Sequence, residues 1–209
     1  MQTINNKIQK PITRRQSTLS RQEQIVDAAQ KVIVKYGSEH ITIRRIAKEV
    51  GISEGAIYRH FKSKRDILSL MIDDIEKNLV GDTEQSAAAS QSPLQTLDNM
   101  LSNHLSPIAQ RRGVSFQVIA KIISLGDRRL NKKLSDVIKK YIDHVKSLLN
   151  EGIKAGEIRD DINVEATATL FFSLVQGLVS IWTLDNYRFS LVEKYLPLWQ
   201  ILRKSIIKQ

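Results

Sequence analysis

The chain of 209 residues contains no cysteine. Disulfides and thiolate metal sites are excluded, a composition that suits a reducing compartment. No uninterrupted apolar run reaches the roughly 18 residues that a membrane span needs. Residues 1–21 are polar and basic almost throughout and lack the apolar centre of a signal peptide. Apolar–polar alternation, the mark of a half-buried strand, is missing, and no repeat of solenoid period occurs. These absences predict a soluble, cytoplasmic, all-α protein with no membrane partner. An apolar fraction of 42% with 6% aromatics is ordinary for a chain that buries a core.

The signatures of catalysis are missing too. The four histidines, His40, His60, His104 and His144, have no ligand spacing, and no Glu is followed by His three residues on. There is no P-loop, Rossmann glycine run or nucleophile elbow. The expectation is a non-enzyme with no metal and no cofactor.

What is present is positive charge, unevenly placed. The net charge is +10, and residues 1–65 hold 14 Lys or Arg against 5 Asp or Glu, while residues 66–209 hold 18 against 17. A polyanion is the natural partner of such a segment, because each neutralised phosphate releases counterions. Anionic lipid would also attract it. Here, however, the charges sit on a compact helical unit rather than on an amphipathic surface helix.

The basic segment contains ITIRRIAKEVGISEGAIYRHF, Ile41 to Phe61. Ile43, Ile46, Ala47 and Val50 recur at helical spacing, so one face of a short helix is buried. Gly51 stops that helix, since a left-handed residue there has no side-chain carbon to clash. Ser53 caps a second helix, which Ile57 and Phe61 anchor to the core. Gly55 and Arg59 face away from the core, with Ala56 and Tyr58 on the flanks. The exposed face is nearly bare at its N-terminal end, which lets the backbone approach base edges. The spacing predicts a helix-turn-helix over about 43–62.

Residues 1–18 read as a disordered basic arm, either a minor-groove contact or a solvated tail. Ser20, with Glu23 closing a capping box, opens a helix carrying Ile25, Ala28, Ala29, Val32, Ile33 and Tyr36. A further helix is capped by Ser63 and Asp66 and runs to about Val80, completing a DNA-binding domain over 19–80. Gly81 to Ser92 reads as a linker. Ser92-Pro93 begins a C-terminal domain over 93–209. Its helices are expected near 94–108, 114–125, 130–151, 166–184 and 191–207, with Gly152 and Gly156 breaking the third and Asn163 capping the fourth.

Arg21 to Leu70, and above all Gly51-Ile52-Ser53 followed by Gly55-Ala56-Ile57-Tyr58-Arg59-His60-Phe61 and Lys64, resembles the tetracycline-repressor family of transcription regulators. The resemblance implies an all-helical dimer whose N-terminal helices bind operator DNA and whose C-terminal helices hold an effector cavity. Carried over by position, Thr42, Tyr58, His60 and Lys64 match phosphate-holding positions. Arg44 matches a base-reaching one, and Glu54, Gly55, Ala56 and Arg59 match the variable readers. Arg45, Lys48 and Ser53 complete the expected DNA-facing set. The implied activity is a ligand-responsive regulator, most simply a repressor, binding palindromic double-stranded operator DNA as a homodimer. The alternatives are an activator or an effector-independent architectural protein.

In the C-terminal domain the expected effector-pocket residues are Met100, His104, Phe116, Ile119, Tyr141, Phe172 and Gln176, for a small apolar or amphipathic effector. The helix 166–184 carries more apolar surface than one chain can bury. The expected dimer interface is therefore Ala166, Phe171, Leu174, Leu178 and Trp182 with Leu191, Tyr195, Trp199 and Leu202 of the last helix, packed as a four-helix bundle.

Overall fold

The structure, a computed structural model, describes residues 18–88, 90 and 92–208. The basic arm expected over 1–18 lies outside the described residues except for Thr18. Nine α-helices are found among the described residues: α1 Thr18–Tyr36, α2 Ile43–Val50, α3 Glu54–Tyr58, α4 Lys64–Ala88, α5 Pro93–Gln110, α6 Val114–Leu125, α7 Arg128–Lys154, α8 Val164–Leu184 and α9 Leu191–Ile206. A 3-10 turn at Ser38–His40 joins α1 to α2. The only strand-like pairing among these residues is one isolated antiparallel bridge, Ile158 with Ile207, which ties the end of α9 to the loop after α7.

Local chemistry sets the helix ends. Thr42 Oγ1 accepts from the Arg45 N–H at 3.2 Å and caps α2, and Gly51, at φ 78°, closes it in the left-handed region. Ser53 Oγ accepts from the Ala56 N–H at 3.2 Å and caps α3. The Asp66 carboxylate accepts from the Ser63 N–H at 3.0 Å, the acidic half of the expected capping box. Ser92 and Asn163 cap α5 and α8 as the sequence predicts.

Several boundaries differ from the expectation. Helix α1 begins at Thr18, two residues before the expected cap Ser20. The span read as a linker is helical as far as Ala88, so α4 runs unbroken for 25 residues. Ala, Glu and Gln in that stretch favour helix, and no proline interrupts it. The α7 helix starts earlier, because Asp127 accepts from the Arg129 and Leu130 N–H groups. Gly152 does not break α7. It lies inside the helix, and Gly156, at φ 74°, follows its end.

The core forms two apolar masses. One gathers Ile33, Ile46, Ile57, Phe61 and Ile67 and continues into Val118, Ile122 and Leu134, so α6 and the start of α7 share the interior of the N-terminal helices. The other joins α5, the second half of α7, α8 and α9 around Leu97, Val145, Phe171 and Tyr195. By length and composition α8 is apolar enough to cross a membrane, although polar residues interrupt its apolar run. In the fold, Phe171, Val175, Val179 and Trp182 of α8 are buried within the second core.

Candidate nucleic-acid interface and ligand cavity

The helix-turn-helix presents the expected residues outward. Thr42, Arg44, Arg45, Lys48, Ser53, Glu54, Gly55, Tyr58 and Arg59 are exposed, while Ala56, His60 and Lys64 are half-buried. Ile46 and Ile57, each fully buried, orient the two short helices from below. The recognition helix is shorter than the sequence predicts: α3 ends at Tyr58, and Arg59 and His60 occupy the following turn. The His60 and Phe61 N–H groups both return to the Ile57 carbonyl, at 2.9 and 3.0 Å, which tightens the chain there. His60 has a buried Nδ1 without a hydrogen-bond partner. Arg45 lies over the Tyr36 ring at 4.9 Å, a stacking that holds its guanidinium at the surface.

A cavity of about 210 Å³ opens between α4, α5, α6, α7 and α8. His104, Phe116, Ile119, Tyr141 and Phe172, all expected, line it. The Tyr141 ring lies 6.0 Å from His104 and 5.9 Å from Phe172. Met100 and Gln176 are not among the lining residues, which corrects the sequence reading. Met100 is wholly buried in the second core. On α8 the lining residues are Phe172 and Val175, and Gln176, one turn beyond Phe172, has a buried Oε1 without a hydrogen-bond partner.

Sequence reasoning missed Ile75, Asn78 and Leu79 of α4, which form one wall, and Arg111 at the end of α5. The visible signal was Arg111-Arg112-Gly113, a charged pair at the turn between two apolar helices. Arg111 and Val114 also line an adjoining cavity of about 260 Å³, whose other walls include Asp27, Lys31 and Lys35 of α1, the lysines paired with Asp27 and Glu49. Next to Arg111 lies Asp74 of α4, which accepts from Gln30 Nε2 of α1 at 2.7 Å and from Asn78 Nδ2 at 3.3 Å. The Arg111 guanidinium stands 4.0 Å from the same Asp74 oxygen. One carboxylate thus joins α1, α4 and the rim of the cavity.

The face expected to make a dimer is turned inward. Phe171, Leu178, Trp182, Leu191, Tyr195, Trp199 and Leu202 are buried within the chain, Leu174 is half-buried, and only Ala166 is exposed. A stripe can be used once, and the chain's own second core uses this one. The opposite sides of α8 and α9 instead expose Leu170, Ile181, Leu184, Leu196 and Ile201.

Comparison with known proteins bears on both sites. Residues 25–71 match bacterial regulatory proteins of the tetR family, and residues 72–205 match the YsiA-like protein C-terminal region. The fatty acid metabolism regulator protein of Bacillus subtilis is 27% identical over 169 residues, 81% of this chain and 87% of that protein. A nucleoid occlusion factor SlmA of Idiomarina loihiensis is 22% identical over 188 residues, 90% of this chain and 96% of that protein. Among solved structures, the transcriptional regulator FadR from Bacillus subtilis in complex with stearoyl-CoA is similar with a TM-score of 0.76 and 25% identity, covering 86% of this chain and 96% of that one. The ketosteroid transcriptional regulator KstR2 of Mycobacterium tuberculosis shares the fold, with a TM-score of 0.72 and 20% identity over 91% of this chain and 96% of that one.

Proposed function

The chain belongs to the tetR family of bacterial regulatory proteins and is a DNA-binding transcription regulator, and from that premise we propose that it is a cytoplasmic, dimeric repressor released from a palindromic operator by an acyl thioester of coenzyme A. The observation that carries this reading is an aromatic-lined, largely apolar cavity whose rim residue Arg111 opens onto a second space beside Lys31 and Lys35. An acyl chain suits the first space and a phosphate-bearing head group the second. The similarity to a regulator solved with stearoyl-CoA supports the same ligand class.

Release follows from where the cavity lies. Ile75, Asn78 and Leu79 belong to α4, whose other end carries Lys64 at the DNA face. A chain wedged against them displaces α4. An anionic head group that recruits Arg111 also draws it from Asp74, the carboxylate that Gln30 uses to hold α1 to α4. Both effects change the separation of paired recognition helices, which must match successive major grooves ~34 Å apart.

For the dimer, the exposed stripe of α8 and α9 replaces the inward one. Leu170, Ile181, Leu184, Leu196 and Ile201 are the residues that a second copy covers in a four-helix bundle.

The test is operator release. A palindrome enriched from random duplex should bind the purified chain, and stearoyl-CoA should weaken that binding by about tenfold or more, equivalent to ~1.4 kcal/mol of coupling. Arg111→Ala should bind the same DNA but respond far less to stearoyl-CoA. Operator binding indifferent to acyl-CoA of every chain length would end the effector reading. The nucleoid occlusion relatives favour a second reading, a DNA-binding protein with dispersed chromosomal sites and no effector. Mapping bound sites across the genome separates the two, since a repressor occupies a few promoters.

A further inference from the structure

A second concentration of positive charge lies far from the helix-turn-helix in sequence. Residues 128–140, RRLNKKLSDVIKK, hold six Lys or Arg against one Asp along the first half of α7. Much of this charge is answered within the chain. Lys140 pairs with Glu76 of α4. Lys133 pairs with Asp73 at 2.6 Å and donates to the carbonyl and hydroxyl of Ser69. Lys132 pairs with Asp136 at 3.1 Å. Arg128 and Arg129 are exposed and make no ion pair among the described residues, although Arg129 is near enough to Asp127 to help hold its carboxyl below the ordinary value.

That unanswered end of the stripe is held beside the DNA-facing unit by two ion pairs. Arg65 Nε lies 2.9 Å from Asp127 Oδ2, the cap of α7. Lys121 Nζ of α6 lies 2.6 Å from Glu39 Oε2, in the turn before α2. Arg65 follows Lys64, and Glu39 precedes Thr42 by three residues. The cap of α7 is therefore tied to the N-terminal end of α4, and α6 to the turn before α2, beside the two helix ends expected to grip phosphates. Beside it an open cleft of about 630 Å³ runs between α4 and α7, with Val137 its one apolar lining residue. Its walls are the stems of charged side chains, Glu76 and Asp136 among them, and at its Arg128–Arg129 end a polyanion meets guanidinium groups, the side chains best shaped to grip phosphate oxygens.

We propose that Arg128 and Arg129 hold backbone phosphates of the duplex just outside the palindrome, so that the C-terminal domain lengthens the DNA footprint. The proposal rests on the operator-binding reading above, but it concerns a separate surface.

The experiment compares full-length wild type with the double variant Arg128→Ala/Arg129→Ala on two duplexes. One ends at the palindrome enriched by the wild type, and the other extends about one helical turn, ~10 base pairs, on each side. Affinity is measured against salt concentration. On the extended duplex the variant's slope of log affinity against log salt should be shallower by about 3 to 4, from ~0.9 per phosphate at four arginines in a dimer. On the short duplex the two proteins should have the same slope. Arg128→Lys/Arg129→Lys should recover most of the loss, and an unchanged thermal midpoint shows that the fold is intact.

Equal slopes on the extended duplex overturn the proposal and leave an acidic protein as the polyanion for this surface. An equal loss on both duplexes also overturns it, because the arginines would then act on the half-site itself. Failure to enrich any palindrome removes the operator reading and this proposal together, and is distinguishable from both.

Discussion

Gly55 is a residue that nothing inside the molecule requires. A Cβ placed there would have Ser53 Oγ, at 4.0 Å, as its nearest neighbour, and the backbone is helical rather than left-handed. Glycine within a helix costs about 0.5–1 kcal/mol relative to alanine. The natural reason to carry that cost is space on the outer side, where a base pair would lie. Gly55→Ala should therefore raise the thermal midpoint by about 2–4 °C per kcal/mol gained while weakening operator binding about tenfold or more, or ~1.4 kcal/mol. Thermal unfolding and fluorescence anisotropy on the same preparation read both changes. A more stable variant with unchanged affinity would show that the bare face of α3 does not approach DNA. The capping role of Ser53 was legible in the sequence because the cap oxygen and the Ala56 N–H that donates to it lie three residues apart, whereas the same role of Thr42 toward the Arg45 N–H went unread. The stacking of Arg45 on Tyr36 was not legible either, since it joins two helices separated by a turn.

At the scale of elements, α7 shows what local reading misses. Gly152, a helix breaker by composition, is a contact point. A Cβ there would stand 2.6 Å from Ile158 Cδ1 and 2.9 Å from Ile158 Cγ1. The chain turns after Gly156 and lays Ile158, 1% exposed, across the helix at the one position without a side chain. Gly152→Ala should destabilise by about 1–3 kcal/mol, the usual cost of overpacking, although alanine is the better helix former. A chemical denaturation midpoint checks this, and adding Ile158→Val should recover part of the loss. A stabilised single variant would mean that Ile158 moves aside freely. The unbroken α4 makes the complementary point. Small polar residues after Gly81 carry no apolar period, so the pattern that revealed α1 and α7 was silent there. The helix continues because nothing in those residues stops it.

At the scale of the molecule, the sequence identified the two helices with surplus apolar surface but not which side of each is surplus. Heptad-like spacing on α9 picks out Leu191, Tyr195, Trp199 and Leu202, and those residues face the chain's own core. Orientation depends on α5 and α7 packing against α8 and α9, information that no single segment carries. The exposed side has its own order: on α8 Ala166, Leu170, Ser173, Gly177, Ile181 and Leu184 are all exposed, at steps of three or four. Small residues between large ones let a second helix approach closely. Leu184 at 83% and Ile201 at 68% exposure are costly in a lone chain and natural under a partner.

Ile181→Arg should therefore keep native helicity and a near-native thermal midpoint, yet elute as a monomer in light scattering at micromolar concentration. Its operator affinity should fall about a hundredfold or more, because the two half-sites are no longer held by one linked pair. Trp182→Ala, one residue on but 5% exposed, should instead lose about 3–5 kcal/mol of stability as a core truncation. If Ile181→Arg remains a dimer while Trp182→Ala gives a stable monomer, the inward face is the interface after all. The arrangement of α8 and α9 described here would then have to be reversed.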